Sequence, residues 1–321
     1  MRAAVCPTYG PPEVVRIEEH PSPAVAAGQV RVRVGAAAVN FPDVLLIANK
    51  YQISVPPPFI PGSEFAGEII ETAKGAEGFA VGDRVTGAGM YGAFAQEVAV
   101  PAAGLARIPD GVNERTAAAF GVAYRTAYHT LRSMARVQPG DELIVLGAGG
   151  GVGLAAVQLG AVLGASVTAT ASSAEKLEVA TGYGARRVVN HRSTDLRGAL
   201  REALPDGADA VIDPVGGELS EPALRSLRRG GRFVTVGFAS GVIPRIPLNL
   251  VLVKGIHLLG FQFQDVPADE FSRNEEELRD HLVSGRVLPH IGAVYPLAET
   301  VEALKRVADG RAIGKILIDL T

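Results

Sequence analysis

The stretch Val145-Leu146-Gly147-Ala148-Gly149-Gly150-Gly151-Val152-Gly153 constrains this chain more than any other. It follows a short apolar run, Leu143 to Leu146, and opens a longer one, Leu154 to Leu163. Strand, glycine turn and helix in that order form the context in which such a motif cradles a dinucleotide pyrophosphate. Glycine is needed there for steric reasons. It accepts positive φ without penalty, and the missing Cβ atoms let backbone N–H groups approach the anion. The helix N-terminus adds about half a positive charge. A glycine triplet alone would read equally well as a buried turn, but here both flanks are in place. Ala148, Gly149, Gly150, Gly151, Val152 and Gly153 are therefore the candidate phosphate-binding backbone, with Ala148 standing where the fingerprint usually has its first glycine.

Around this motif the chain changes character. Residues 1 to 120 read as β-rich: Val30-Arg31-Val32-Arg33-Val34 alternates strictly, and Gly67–Glu71 and Phe94–Val100 continue the pattern between prolines and glycines. From Thr116 to Met134 the spacing predicts a helix. Strands are then predicted at Leu143–Leu146, Ser166–Thr170, Arg187–Val189, Ala210–Ile212 and Phe233–Val236, with helices in the gaps. Such alternation predicts a parallel sheet covered on both faces. Val251 to Phe261 reads as one more apolar strand. The tail carries two helical stretches, Ala268–Ser284 and Ala298–Ala308, and a closing strand, Lys315–Leu320. The expected class is α/β, with a β-rich part over 1–120 followed by a doubly wound parallel sheet over 121–262.

Composition narrows the function classes. A net charge of −3 over 321 residues gives no reason to expect nucleic acid or an anionic membrane as the main partner. The basic cluster Arg225, Arg228, Arg229 and Arg232 reads as helix-end compensation. One cysteine, Cys6, excludes an internal disulfide and a Cys₄ zinc site. No apolar run reaches the roughly 18 residues of a spanning helix, and the first residues lack a signal-peptide core, so the expected compartment is the cytoplasm.

The residues beyond the glycine motif bear on the choice of dinucleotide. An NAD site places an acidic side chain about 20 residues past the glycines. That window reads Thr170-Ala171-Ser172-Ser173-Ala174-Glu175-Lys176 and ends its strand without one. Ser172, Ser173 and Lys176 suit a 2′-phosphate. Glu175 reads as a first-turn acid of a helix capped by Ser172 or Ser173. NADPH is the expected cofactor.

Several segments together resemble a known family. They are Val39-Asn40-Phe41-Pro42-Asp43, Lys50-Tyr51, Ile60-Pro61-Gly62-Ser63-Glu64-Phe65-Ala66-Gly67, Val81-Gly82-Asp83-Arg84-Val85, Thr126-Ala127-Tyr128, the glycine motif, Asp213-Pro214-Val215-Gly216-Gly217, Gly237–Gly241 and Pro247–Leu250. In order and spacing the chain resembles, from end to end, the quinone oxidoreductase (zeta-crystallin-like) branch of the medium-chain dehydrogenase/reductases. The resemblance implies a GroES-like β-barrel catalytic domain formed by 1–120 and completed by 263–321, a Rossmann domain at 121–262 inserted into it, and an active site in the cleft between them.

It also implies roles. Asn40 and Tyr51 would lie near nicotinamide and substrate, although from the residues alone Asn40 reads equally as a turn residue before Phe41-Pro42. Thr126 would face the cofactor from its helix. Phe238 and Phe263 would flank the nicotinamide, and Lys315, with Arg311, would reach the cofactor phosphates. His191 stands where the family usually has a tyrosine on the 2′-phosphate, which leaves the strength of an NADPH preference open. Leu45 replaces a second tyrosine found in some relatives. Zinc relatives carry a histidine before the glutamate that here is Glu64; this chain has Ser63, and no Cys or His lies between His20 and His129. No metal is expected. The expected activity is hydride transfer from NADPH to a small quinone or enone, which needs no strong Lewis acid, whereas dehydrogenating an alcohol normally needs a metal or a positioned base for the hydroxyl proton. The alternatives are an enoyl-thioester reductase and a non-enzymatic nucleotide- or RNA-binding protein; the absence of a basic–aromatic patch counts against RNA. A homodimer is expected, with Ile256–Phe261 as a strand edge needing cover.

Overall fold

The structure, a computed structural model, describes residues 1–321. In chain order its elements are β1 (Arg2–Val5), β2 (Arg16–Glu19), β3 (Gln29–Val39), α1 (Phe41–Ile47), β4 (Glu64–Thr72), β5 (Arg84–Ala88), β6 (Glu97–Pro101), β7 (Leu105–Arg107) and α2 (Glu114–His129). There follow β8 (Glu142–Val145), α3 (Gly151–Val162), β9 (Ser166–Ala171), α4 (Ala174–Gly182), β10 (Arg187–Asn190), α5 (Leu196–Ala203), β11 (Ala208–Asp213), α6 (Ser220–Arg225) and β12 (Leu227–Thr235). The chain closes with α7 (Leu248–Lys254), β13 (His257–Gly260), α8 (Ala268–Val283), β14 (Ile291–Pro296), α9 (Thr300–Ala308) and β15 (Lys315–Asp319). They form two units, Met1–Val122 with Leu288–Thr321, and Ala123–Val287. No helix is long and apolar enough to cross a membrane.

The first unit is built on β3. Its amino half alternates, with Val30, Val32 and Val34 buried, while Ala36, Ala37, Ala38 and Val39 are buried consecutively. Small residues there permit neighbours on both faces. β3 pairs antiparallel with β4, β6 and β15, so the strand before Asn40 is tied to the C-terminal strand of the chain. The sheet runs β14-β15-β3-β4-β5-β7, with β6 on β3. Its core includes Val32, Ile69, Val85, Phe94, Leu304 and Ile318. Each large aliphatic among them stabilises the unit by about 2 kcal/mol relative to exposure. α1 begins at Asn40, whose backbone carbonyl accepts from Asp43 N while its own N–H donates back to the Asp43 carboxylate, and Pro42 occupies its first turn, where no N–H is missed.

The second unit is a six-stranded, all-parallel sheet ordered β10-β9-β8-β11-β12-β13. Its strands read as near-continuous apolar runs because helices cover them. α3 is apolar on nearly every side for the same reason: it touches β8, β9, β11 and α4. A Cβ on Gly160 would lie 2.7 Å from a Leu143 methyl, so glycine lets α3 come close to β8.

Three expectations need correction. Val251–Phe261 is not one strand. Leu248–Lys254 is helical, Gly255 stops it with φ of 60°, and only His257–Gly260 joins the sheet. A run that is apolar throughout carries no period to tell helix from strand, and the left-handed glycine is the divider. The helix predicted over Thr116–Met134 ends as an α-helix at His129 and continues as a π turn over Thr130–Met134. The chain returns to the first unit at Leu288 rather than at 263. α8 stays with the second unit because Glu275 and Glu277 bond Arg125, His129, Tyr128 and Arg132.

Candidate functional site

In the second unit the site begins at the turn after β8. Gly147 has φ of 61°. A Cβ on Gly153 would fall 2.1 Å from the Gly147 carbonyl oxygen and 3.0 Å from Ala148 Cα, so the first turn of α3 lies against the loop it leaves. Ala148 is fully buried, and its N–H donates to Thr170 O of β9 at 2.9 Å. A methyl fits there, which accounts for alanine in place of the first glycine. Gly149 meets the stem of Lys176, whose Cγ would lie 2.6 Å from an added Cβ. Gly150 differs: its φ is −87°, and an added Cβ would meet nothing closer than Gly147 O at 3.5 Å. No side chain caps α3, whereas Ser173 caps α4 and Asp195 caps α5. The N-terminal N–H groups of α3 thus face a space that the fold leaves to backbone alone.

The next two strand ends bring cations to the same edge of the sheet. β9 and β10 pair through Ala171 and Asn190, and His191 N–H donates to Ala171 O at 3.2 Å. Ser172 and His191 therefore follow neighbouring strand ends. Ser173 is the N-cap of α4, accepting from Lys176 N at 3.4 Å, and Ser172 Oγ accepts from Lys176 Nζ at 3.4 Å. Burial first, and then the Arg192 guanidinium, hold the Lys176 ammonium below its ordinary value. Burial, then Arg192 and Lys176, do the same to the His191 imidazolium. Lys176, His191 and Arg192 thus set three basic side chains at one end of the sheet, where an anion would favour the protonated lysine and imidazole. Arg192 escaped the sequence reading, although its position next to His191 was a usable signal.

At the end of β11, Asp213 has a structural task. Its Oδ1 accepts from Val215 N and Gly216 N, and its Oδ2 accepts from Ser220 Oγ at 2.6 Å. Gly216, with φ of 70°, lies against Phe238, which follows β12 and is 38% exposed.

Thr126 is buried on α2, and its carbonyl accepts from Thr130 Oγ1 at 2.6 Å. One turn on lies a network that sequence reading missed. Fully buried His129 bonds Glu275 through Nε2 at 2.7 Å and Asn274 Nδ2 through Nδ1 at 3.1 Å, and it stacks on Phe271. Arg125 also bonds Glu275 at 2.9 Å and lies over the rings of Phe263 and Phe271. Burial alone would raise the Glu275 carboxyl, but the His129 and Arg125 donors outweigh it and leave the group below its ordinary value. Phe263 is thereby held by His129, Phe261 and Arg125 while remaining 37% exposed.

In the first unit, Asn40 gathers a buried polar cluster. Its N–H donates to Asp43 Oδ2 at 2.7 Å, and its Nδ2 donates to Glu64 Oε2 at 3.1 Å, with Ser63 Oγ at 3.4 Å. Lys315 Nζ donates to Asn40 Oδ1 at 2.5 Å and to Glu64 Oε2 at 3.1 Å. Glu64 Oε1 accepts from Val122 N at 2.5 Å. Burial pushes the Asp43 carboxyl up to about 7 against the Asn40 N–H, Ser63 and Lys315, with Glu64 adding to the rise. The cofactor-phosphate role expected for Lys315 is corrected here: the residue is 3% exposed and its ammonium is committed to Asn40 and Glu64. Arg311, grouped with it, bonds Asp309 at 2.8 Å. Tyr51 is half-buried and packs on the apolar core of this unit.

The family described as "Zinc-binding dehydrogenase" matches residues 151–279, and that described as "Alcohol dehydrogenase GroES-like domain" matches residues 26–110. Quinone oxidoreductase-like protein 2 of Bos taurus is 38% identical over 330 residues, covering 99% of this chain and 92% of its own. The synaptic vesicle membrane protein VAT-1 homolog of Homo sapiens is 30% identical, covering 99% of this chain and 86% of its own. The crystal structure of Escherichia coli quinone oxidoreductase complexed with NADPH superposes with a TM-score of 0.91 at 27% identity, covering 99% of this chain and 100% of that one. No three His, Cys, Asp or Glu side chains converge where they could hold a metal ion, and the Glu64 carboxylate is matched by the Lys315 ammonium.

Proposed function

The chain belongs to the quinone oxidoreductase branch of the medium-chain dehydrogenase/reductase superfamily, and on that footing we propose that it is an NADPH-dependent reductase delivering hydride to a quinone or related α,β-unsaturated carbonyl without zinc. One observation carries the reading. The ends of β8, β9 and β10 set an uncapped helix N-terminus, a glycine with vacant space at its Cα, and three basic side chains along one sheet edge. That combination suits a pyrophosphate together with a phosphomonoester.

When bound, the dihydronicotinamide supplies the hydride. The remaining work falls to this chain's own residues. Gly149, Gly150, Gly151, Val152 and Gly153 offer backbone N–H groups to the pyrophosphate, with Ala148 shaping the turn beneath them. Ser172, Lys176 and His191 hold the 2′-phosphate, with Arg192 beside them, while Ser173 anchors the helix that presents Lys176. Phe238, Phe263 and Thr126 shape an apolar wall for the nicotinamide. Asn40 and Tyr51 orient the reacting ring and the acceptor. An electron-poor acceptor needs positioning and exclusion of water more than it needs a Lewis acid, which accords with the donor set.

Homodimerisation and a cytoplasmic setting belong to the same proposal. β13 is the outer strand of the six-stranded sheet and carries Leu258, 40% exposed, while Leu252 and Val253 of the preceding α7 are 83% and 64% exposed. A second copy would cover that edge and its apolar flank.

The test is turnover of a small benzoquinone with NADPH and with NADH in parallel, alongside crotonyl-CoA as the enoyl-thioester alternative. Quinone-dependent oxidation favouring NADPH is expected. Protein that binds NADPH yet turns over no quinone sinks the acceptor assignment.

A further inference from the structure

Asn40 is fixed at every polar atom it has. Its carbonyl accepts from Asp43 N at 3.0 Å, and its N–H donates back to Asp43 Oδ2 at 2.7 Å. The side-chain amide has an acceptor end and a donor end, and the structure assigns each a partner of matching sign. Oδ1 takes the Lys315 ammonium at 2.5 Å, and Nδ2 faces the Glu64 carboxylate at 3.1 Å. Turning the amide over would set NH₂ against an ammonium and a carbonyl against a carboxylate, and both contacts would become repulsive in a site where Lys315 is 3% and Glu64 0% exposed. The pair Lys315–Glu64 therefore selects one of the two orientations. The surrounding fold is arranged around that pair. β15 carries Lys315 and pairs with β3, whose end is Val39, while β4 carries Glu64 and pairs with β3 from the other side. A Cβ on Gly121 would lie 2.7 Å from Glu64 Oε1, so the glycine leaves room for the carboxylate to accept from Val122 N.

We propose that Lys315 is a positioning residue for Asn40: with Glu64 it locks the amide so that Asn40 offers a bound molecule an acceptor lone pair on Oδ1, and so recognises a hydroxyl or amide N–H donor. The proposal rests on the reading that Asn40 touches the nicotinamide half of NADPH. An oxygen with two lone pairs has one left after the ammonium bond, whereas the Nδ2 hydrogens are directed at Glu64 and Ser63. A donor on the ligand is thus favoured over an acceptor, and the ammonium polarises the amide that receives it.

The pair must be removed without leaving a lone buried charge, because a single Lys315→Met change would orphan Glu64. The variant is Lys315→Met/Glu64→Gln. Calorimetry measures its binding of NADPH and of adenosine 2′,5′-bisphosphate, which has the phosphate half of the dinucleotide and no nicotinamide. A thermal melt is recorded for each protein. The expected result is a tenfold or greater loss of NADPH affinity, unchanged binding of the bisphosphate and a Tm near wild type. Asn40→Ala should show the same selective loss, and adding it to the double variant should cost nothing more. Wild-type NADPH affinity in the double variant, equal losses for both ligands, or losses that add to those of Asn40→Ala would each overturn the positioning role. Wild-type protein that binds the bisphosphate but gains nothing from the nicotinamide half would overturn the underlying placement of Asn40 instead.

Discussion

Gly153 lies so close to Gly147 that a methyl on the first would sit 2.1 Å from the carbonyl oxygen of the second. Gly150, between them in sequence, has no such neighbour: 3.5 Å is an ordinary contact, and its φ of −87° suits any residue. The fold thus requires glycine at 153 and leaves 150 free of that requirement, as the proposed pyrophosphate contact would need. Gly153→Ala should lower stability by about 2 kcal/mol or more, read as a clear fall in Tm. Gly150→Ala should melt within about 1 kcal/mol of wild type, yet lose at least tenfold in NADPH affinity, because on the proposed placement its methyl would stand where the pyrophosphate approaches. Equal effects of the two variants on stability would refute the distinction.

Lys176→Ala should shift cofactor choice. A hydrogen bond to a charged group contributes about 1.5–3 kcal/mol, so the NADPH/NADH ratio of kcat/KM should fall roughly 10- to 100-fold, with NADH turnover little changed. An unchanged ratio removes Lys176 from the 2′-phosphate site.

Asp43 makes stability depend on pH. Its folded-state pKa of about 7 lies above its ordinary value of 3.8, so between those values the folded chain holds a proton that the unfolded chain has lost. Stability therefore falls as pH rises through this window and levels off above about 7. Asp43→Asn keeps an acceptor for the Asn40 N–H and removes the titration. In urea unfolding, the advantage of the variant over wild type should grow by roughly 2–3 kcal/mol from pH 5 to pH 8. Parallel pH profiles for the two proteins would show that the carboxyl is already ionised at pH 5.

Leu252→Glu tests the expected dimer. The side chain is 83% exposed, so a charge there costs the single chain almost nothing. Light scattering should give twice the 33.4 kDa chain mass for wild type and a value near 33.4 kDa for the variant. A monomeric wild type, or a dimeric variant, would count against the β13 edge as the interface.

Much of this architecture is legible one residue at a time. The glycine turn, the alternation from β8 to β12 and the capping of α4 by Ser173 depend on neighbours within a few positions, and local chemistry is what sequence displays. The apolar run 251–261 was not legible, because burial on all sides removes the periodicity that separates helix from strand. Nor was the point of return to the first unit, since the hydrogen bonds and ion pairs that keep α8 with α2 and the turn after it link residues 145 to 150 positions apart.

The amino-acid sequence by itself determined that the chain alternates strands and helices around a glycine turn, and that its second strand end carries hydroxyls and a lysine in place of an acid. These are properties of residue type and short spacing. Only the tertiary structure decided what Lys315 does. Its partner Glu64 lies 251 positions away and Asn40 lies 275, and nothing in the tail distinguishes a solvated lysine from a buried one. The pairing of β15 with β3 withdraws that ammonium from water, and a cation without water must take the nearest oxygens, which the fold supplies from Asn40 and Glu64.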